Sequence, residues 1–185
     1  EARKTPYVLI DRPIAGVEAC FVGVDNRAIG RLATEHLIAK GCNRIGHLRG
    51  PQLRIATERA EGYREALEQA GIRPDRNYIV VAGHTDSTGY EGMKELLKVE
   101  PRVDAVFCYN DPVAIGALKA IAEAGLRVPQ DIALVGAGNV RYSDVLSVPL
   151  TTVDQGSCQI GTLAAELLLG RIGAKRAVHA QKILI

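Results

Sequence analysis

Short runs of apolar residues alternate along this chain with longer segments whose apolar positions recur at helical spacing. The runs occupy 7–10, 20–24, 44–48, 78–82, 103–108, 132–137, 150–153 and 178–185. Most are rich in Val and Ile, as strands covered on both faces should be. Five helices are predicted between them. The first follows Asn26 as its cap, aligns Ile29, Leu32, Ala33 and Leu37, and stops at Gly41. The second is capped by Thr57 and presents Ala60, Tyr63, Leu67 and Ala70 before Gly71. A third starts at Asp86 or Ser87 and carries Met93, Leu96 and Leu97. The fourth takes Asp111 as cap and Pro112 as first helical residue, with a core face of Ile115, Leu118, Ile121 and Ala122 before Gly125. The last begins near Ser157 and uses Ile160, Leu163, Ala164, Leu167 and Leu168. Polar caps in front and, for most of them, glycines behind agree with the periodicity.

Strand–helix alternation of this kind predicts an α/β fold, a doubly wound parallel sheet with right-handed crossovers. The stretch 140–149 is too short and too broken for another crossover helix, so the regular alternation stops there.

With 47% apolar residues, a chain of 185 can bury one substantial core. Its charged residues, 24% of the total with a net charge of +2, are scattered. No basic stripe results, which excludes binding of nucleic acid by this chain on its own account. No apolar run approaches the length of a bilayer span, so no membrane partner is expected. Cys20, Cys42, Cys108 and Cys158 stand far apart without a C-x-x-C. They read as reduced thiols of a cytoplasmic protein rather than as disulfides or a metal site. The first residue is Glu1 with no leader after it, so the chain reads as either processed or excised from something longer.

In open parallel sheets, ligands bind beyond the carboxyl ends of the strands. The residues there are Asp25-Asn26, Arg49-Gly50-Pro51 leading to Arg59, His84-Thr85-Asp86, Asn110-Asp111, Gly138-Asn139 and Asp154-Gln155. A convergent polar rim with one imidazole suits a small hydroxyl- or amide-rich ligand better than bond-breaking chemistry. Asn26 and Asp111 serve equally well as helix caps, and both readings stand.

The enzyme signals are weak. Gly136-Ala137-Gly138-Asn139-Val140-Arg141 follows a strand like a dinucleotide fingerprint, but Arg141 replaces the third glycine and no helix follows. No cofactor is therefore expected. His84, Asp86 and Ser87 are triad residue types too close in sequence to align as nucleophile, base and orienter. G-x-S-x-G, G-x-x-x-x-G-K and H-E-x-x-H are absent, and His36 and His47 sit inside a helix and a strand. The rim holds no activated nucleophile with a paired base, so neither catalysis nor a metal is expected.

Several phrases carry a family likeness: Val24-Asp25-Asn26, Arg59-x-x-Gly62-Tyr63, Asn110-Asp111 with Ala114-Ile115-Gly116-Ala117-Leu118, Gly125-Leu126-Arg127-Val128-Pro129-x-Asp131-Ile132, and Pro149-Leu150-Thr151-Thr152-Val153-x-Gln155. From about Pro6 to Ile185 the chain resembles the lac and purine repressor (LacI-type) family of transcriptional regulators. The resemblance implies the periplasmic-binding-protein-like, type I form of the doubly wound fold. It implies a helix-turn-helix head, missing from this chain, through which alone operator DNA would be bound. It also implies an effector domain of two lobes crossed three times, at Asn26, near Gln155 and on the approach to Val178. Residues 27–154 and 176–185 would form one complete lobe, and 1–26 with 155–175 a remnant of the other. In that remnant the apolar faces of Ile160, Leu163 and Leu167 would lie open and sticky.

Carried over by position, Arg59 matches the family's ligand-binding arginine and His84 falls where an aromatic often stacks on the ligand. Asn110 and Gln155 match polar contacts, and a homodimer is implied, with Tyr142, Val145, Leu146 and the fourth helix as candidate contacts. Equally, Val145 and Leu146 could tuck under their own sheet. One departure stands out. Where the family usually has an aspartate after a Gly-aromatic pair, this chain has Gly136-Ala137-Gly138. Losing that anion while keeping Arg59 favours a sugar acid or a phosphorylated sugar over a plain sugar, unless Asn139 turns in as a neutral acceptor. A periplasmic solute-binding protein is the alternative reading of the same fold, with an enzyme on this scaffold third.

Overall fold

The computed structural model of the protein describes residues 5–141, 143–173 and 180–185. In chain order the first elements are β1 (Val8–Ile10), β2 (Cys20–Gly23), α1 (Asn26–Ala39), β3 (Ile45–Arg49), α2 (Arg54–Gln69) and β4 (Ile79–Val81). They are followed by α3 (Asp86–Leu96), β5 (Ala105–Cys108), α4 (Asp111–Glu123), β6 (Ala133–Ala137), β7 (Thr151–Val153), α5 (Ser157–Gly173) and β8 (Lys182–Leu184). Two compact units result, one of residues Asn26–Asp154 and one of Glu1–Asp25 with Gln155–Ile185.

The larger unit is a parallel five-stranded sheet in the order β4-β3-β5-β6-β7. Helices α1 and α2 pack together, as do α3 and α4, and both pairs lie on the sheet. Alternation along the strands assigns the faces. Leu48, Val106, Cys108 and Leu134 join Met93, Leu96 and Ile121 in one buried cluster. On the other face His47 stacks between Tyr63 of α2 and Phe107 of β5. This is the doubly wound arrangement that the apolar runs imply.

Each helix pair crosses on reciprocal glycines. A Cβ at Gly30 would strike the backbone oxygen of Arg59, and one at Gly62 that of Arg27. The second pair repeats the device, with Gly89 against the Val113 carbonyl and Gly116 against that of Asp86. Without side chains between them the backbones meet directly, which fixes where the first turns of all four helices stand over the sheet.

Several expectations are corrected. Helix α2 begins at Arg54, and its N-cap residue Leu53 makes no side-chain cap. Thr57 lies inside the helix, where its hydroxyl bonds back to the Leu53 carbonyl at 3.3 Å and accepts from Arg49 Nη2 at 3.1 Å. In α4 the cap is Asn110, whose Oδ1 accepts from the Val113 amide at 2.9 Å. Asp111 is instead the first helical residue, drawn inward by Thr152 of β7 and by the Val140 amide in the connection after β6. The buried face of α4 is Val113, Ala114, Ala117 and Ile121, with Ile115 and Leu118 half-buried and Ala122 exposed. The close glycine crossing turns the small residues toward α3. The larger ones border a groove of about 540 Å³ that Leu126, Val128, Leu146 and Val148 also line.

The smaller unit is a parallel sheet in the order β1-β2-β8, with α5 packed on β1 and β2. Residues 176–185 were expected with 27–154; instead β8 pairs with β2, Ile183 opposite Val22. Helix α5 lies on that sheet, and β8 takes the edge of β2 that β1 leaves open. The crossing expected on the approach to Val178 falls within residues 174–179, which lie outside the described residues. Within α5 Ile160 is buried and Leu163 and Leu167 are half-buried, so the open apolar positions are Leu169 and Ile172.

In the stretch 140–149, Leu146 packs on the α3–α4 core while Val145 is 77% exposed. Only the first tucks under its own sheet. Tyr142 lies outside the described residues.

Candidate functional site

The order β4-β3-β5-β6-β7 reverses between β3 and β5, because one crossover leaves β3 toward β4 and later ones run toward β7. A switch of this kind opens a crevice at the carboxyl ends of the two central strands. Gly50 follows β3 there, and the ring of Tyr109, just past β5, lies where a Cβ of Gly50 would be. Tyr109 is buried with Ile55 and Ala56 of α2.

Arg59 occupies this crevice and is only 3% exposed. Its guanidinium lies 5.1 Å from the centroid of the Tyr109 ring. Nη1 donates to the Tyr109 carbonyl, and Nε donates to Asn26 Oδ1 at 3.1 Å. Asn26 is the first residue of α1 rather than a cap ahead of it, and its side chain takes the arginine there. One cation thus joins α1, α2 and the end of β5.

Asn110 does two tasks. Its Oδ1 caps α4, and its Nδ2 donates to the His84 carbonyl at 3.1 Å. That bond holds the loop after β4 beside the loop after β5, with the His84 imidazole exposed. Thr85 then caps α3 by a capping box with Thr88.

At the far side of the rim, Gly138 has φ of 142° and donates its amide to the Val153 carbonyl at 2.9 Å. Few residues other than glycine hold that backbone. Asn139 follows in the left-handed region at φ 53°. Its amide donates to Thr152 Oγ1 at 3.2 Å and its Nδ2 to Asp154 Oδ2 at 3.0 Å. An exposed carboxylate therefore stands beside Gly138 and Asn139.

The structure brings Arg59, His84, Asn110, Gly138 and Asn139 to one edge of one sheet. Gln155 belongs to the smaller unit, where it is half-buried. Sequence reasoning missed Tyr109, although an aromatic directly between a buried strand and a capped helix marks a rim position. It also missed Thr152, which looks like any exposed strand threonine until its partners are known. Among the described residues no three His, Cys, Asp or Glu side chains gather as metal ligands do. The rim offers hydrogen-bond donors and acceptors, with the Arg59 cation buried and the Asp154 carboxylate exposed, a set that suits hydroxyl groups.

A family model described as a periplasmic binding protein-like domain matches residues 34–185. The HTH-type transcriptional regulator CelR of Thermobifida fusca is 39% identical over 182 residues, 97% of this chain and 54% of that protein. The HTH-type transcriptional repressor PurR of Vibrio atlanticus (strain LGP32) is 38% identical over 171 residues, 92% of this chain and 51% of its own. The solved transcriptional regulator CelR-cellobiose complex superposes with a TM-score of 0.90 at 35% identity, covering 97% of this chain and 56% of that one. The chain spans about half the length of the curated relatives it matches.

Proposed function

This chain belongs to the periplasmic binding protein-like family in the form that LacI-type transcriptional regulators carry, and from that premise we propose that it is the effector-binding part of such a regulator. The observation that carries the reading is the rim itself. The loops after β3, β4, β5, β6 and β7 deliver polar groups to the same edge, and none of them is a nucleophile activated by a neighbouring base. Such an edge binds without breaking bonds. Regulation, rather than transport, is favoured by the identity to HTH-type regulators along nearly the whole chain. Operator DNA would be bound through a helix-turn-helix in the remainder of such a protein, in the cytoplasm, where that DNA is. A second copy would meet this one at Val145 and along the groove beside α4, whose half-buried Ile115 and Leu118 gain from being covered.

For the effector, the geometry favours a neutral, hydroxyl-rich sugar over a sugar acid or phosphorylated sugar. The case for an anion rested on a cation left without its aspartate. Arg59 is already engaged by Asn26 and Tyr109, and Asp154 supplies a carboxylate beside Asn139. A carboxylate accepts from two hydroxyls and repels a second anion. The bound sugar of the CelR complex is of this neutral class.

Thermal-shift titration of the protein with cellobiose, glucose, gluconate and glucose 6-phosphate checks this. At a hundred times its dissociation constant a bound sugar adds about 2.7 kcal/mol, roughly 5–10 °C in Tm for a chain of this size. The expected result is a shift with a neutral sugar and none with its acidic counterpart. Tighter binding of the acids, or no binding of either class, would overturn the reading.

A further inference from the structure

We propose that Asp111 is a positioning residue for the effector rim, holding the loop 138–140 in the one conformation that presents Asn139 and Asp154. The proposal rests on the effector-binding reading above for its consequence, though not for its geometry.

The carboxylate of Asp111 is fully buried, at the first position of α4. Oδ1 accepts from the Thr152 hydroxyl at 2.6 Å and Oδ2 from the Val140 amide at 2.9 Å. Gly136 of β6 lies against the same carboxylate, since a Cβ there would collide with Oδ1. While its hydroxyl donates to Asp111, the Thr152 oxygen accepts from the Asn139 amide at 3.2 Å. Asn139, held at φ 53°, then directs its side-chain amide to Asp154. One buried anion therefore gathers the start of α4, the end of β6 and the edge strand β7.

Helix capping does not account for this group, because Asn110 already caps α4. Nor does ion pairing, since no cation pairs with Asp111 among the described residues. An uncompensated charge out of water is costly, and the helix N-terminus offsets only part of that cost. What the carboxylate accomplishes is local. Glycine and asparagine adopt positive φ more readily than other residues, and the carboxylate selects among the conformations open to them the one with Gly138 at φ 142° and Asn139 at φ 53°. Without it, Asn139 is free to leave Asp154, and the rim loses two of its hydrogen-bonding groups together.

The test uses the intact protein carrying Thr152→Val, Asp111→Asn or Thr152→Ser, with two readouts. Amide exchange of Asn139 and Val140 should accelerate at least tenfold in Thr152→Val and Asp111→Asn, while amides in β3 and β5 keep their protection. Affinity for cellobiose, measured by calorimetry, should fall about tenfold in the same two variants. Thr152→Ser, which retains the hydroxyl, should restore both. Exchange that rises equally across the whole larger unit would reduce Asp111 to a stability role and overturn the proposal. So would an opened loop with unchanged cellobiose affinity. Absence of cellobiose binding by the unaltered protein counts against the sugar reading alone, and the exchange of Asn139 and Val140 then decides for or against Asp111.

Discussion

Replacing Gly62 with alanine is expected to destabilise the protein by about 3 kcal/mol or more, although alanine is the better helix former by about 1 kcal/mol. The two effects oppose each other, and geometry decides between them. A methyl group at Gly62 would collide with the Arg27 carbonyl, and its counterpart at Gly30 with the Arg59 carbonyl. Backbone cannot swing aside as a long side chain can, so the helices must separate and the packing around Ile29, Ala33 and Tyr63 must loosen. A Tm lowered by roughly 6–12 °C corresponds to that loss for a chain of this length. Gly161→Ala is the control, because a Cβ there meets nothing within 4 Å. It should be neutral or stabilising by up to about 1 kcal/mol. Equal Tm values for Gly62→Ala and Gly161→Ala would show that the crossing yields easily. Because the Arg59 carbonyl is itself one of the two contacts, Gly30→Ala should also displace the rim, beyond its effect on stability.

Acidification should weaken the protein through His47, with the steepest loss between about pH 6.5 and 4. The imidazole is wholly buried between Tyr63 and Phe107, and desolvation pushes its pKa down from 6.5 to about 4. The neighbouring Arg49, Arg64 and Arg59 push in the same direction, against the bond between Nδ1 and the Phe107 carbonyl at 2.9 Å. Nε2 has no partner. Below pH 6.5 the unfolded chain takes up a proton that the folded one refuses, so stability falls as pH falls until the folded state is protonated too. At pH 5 this single residue costs about 2 kcal/mol relative to pH 7.5. Urea denaturation of the protein and of His47→Phe at both pH values isolates it, because phenylalanine keeps the stack and cannot titrate. The unaltered protein should lose about 2 kcal/mol more than the variant over that interval. Identical pH slopes would mean that His47 is reached by water and protonates in place.

Much of the fold was legible along the chain. Eight apolar runs and five periodic segments correspond to the eight strands and five helices described. The ends were less so, for a reason visible in α2 and α4. A threonine or aspartate near a helix start reads as a cap whatever else it touches. In the folded protein Thr57 turns back on Leu53, and Asp111 turns away from its own helix toward Thr152.

Local periodicity determined the class of this protein, because a residue's place on a strand or helix face depends only on its near neighbours. The reversal in strand order that makes a crevice, the membership of β8 and the role of each polar side chain depend on distant partners. Asp111 meets Val140 and Thr152 from 29 and 41 residues away, and Arg59 meets Tyr109 from 50. The same aspartate could cap a helix, pair with a cation or face a ligand, and nothing within its own segment distinguishes these. Only the tertiary structure decides, since a buried polar group takes whichever hydrogen-bond partners the fold brings within reach.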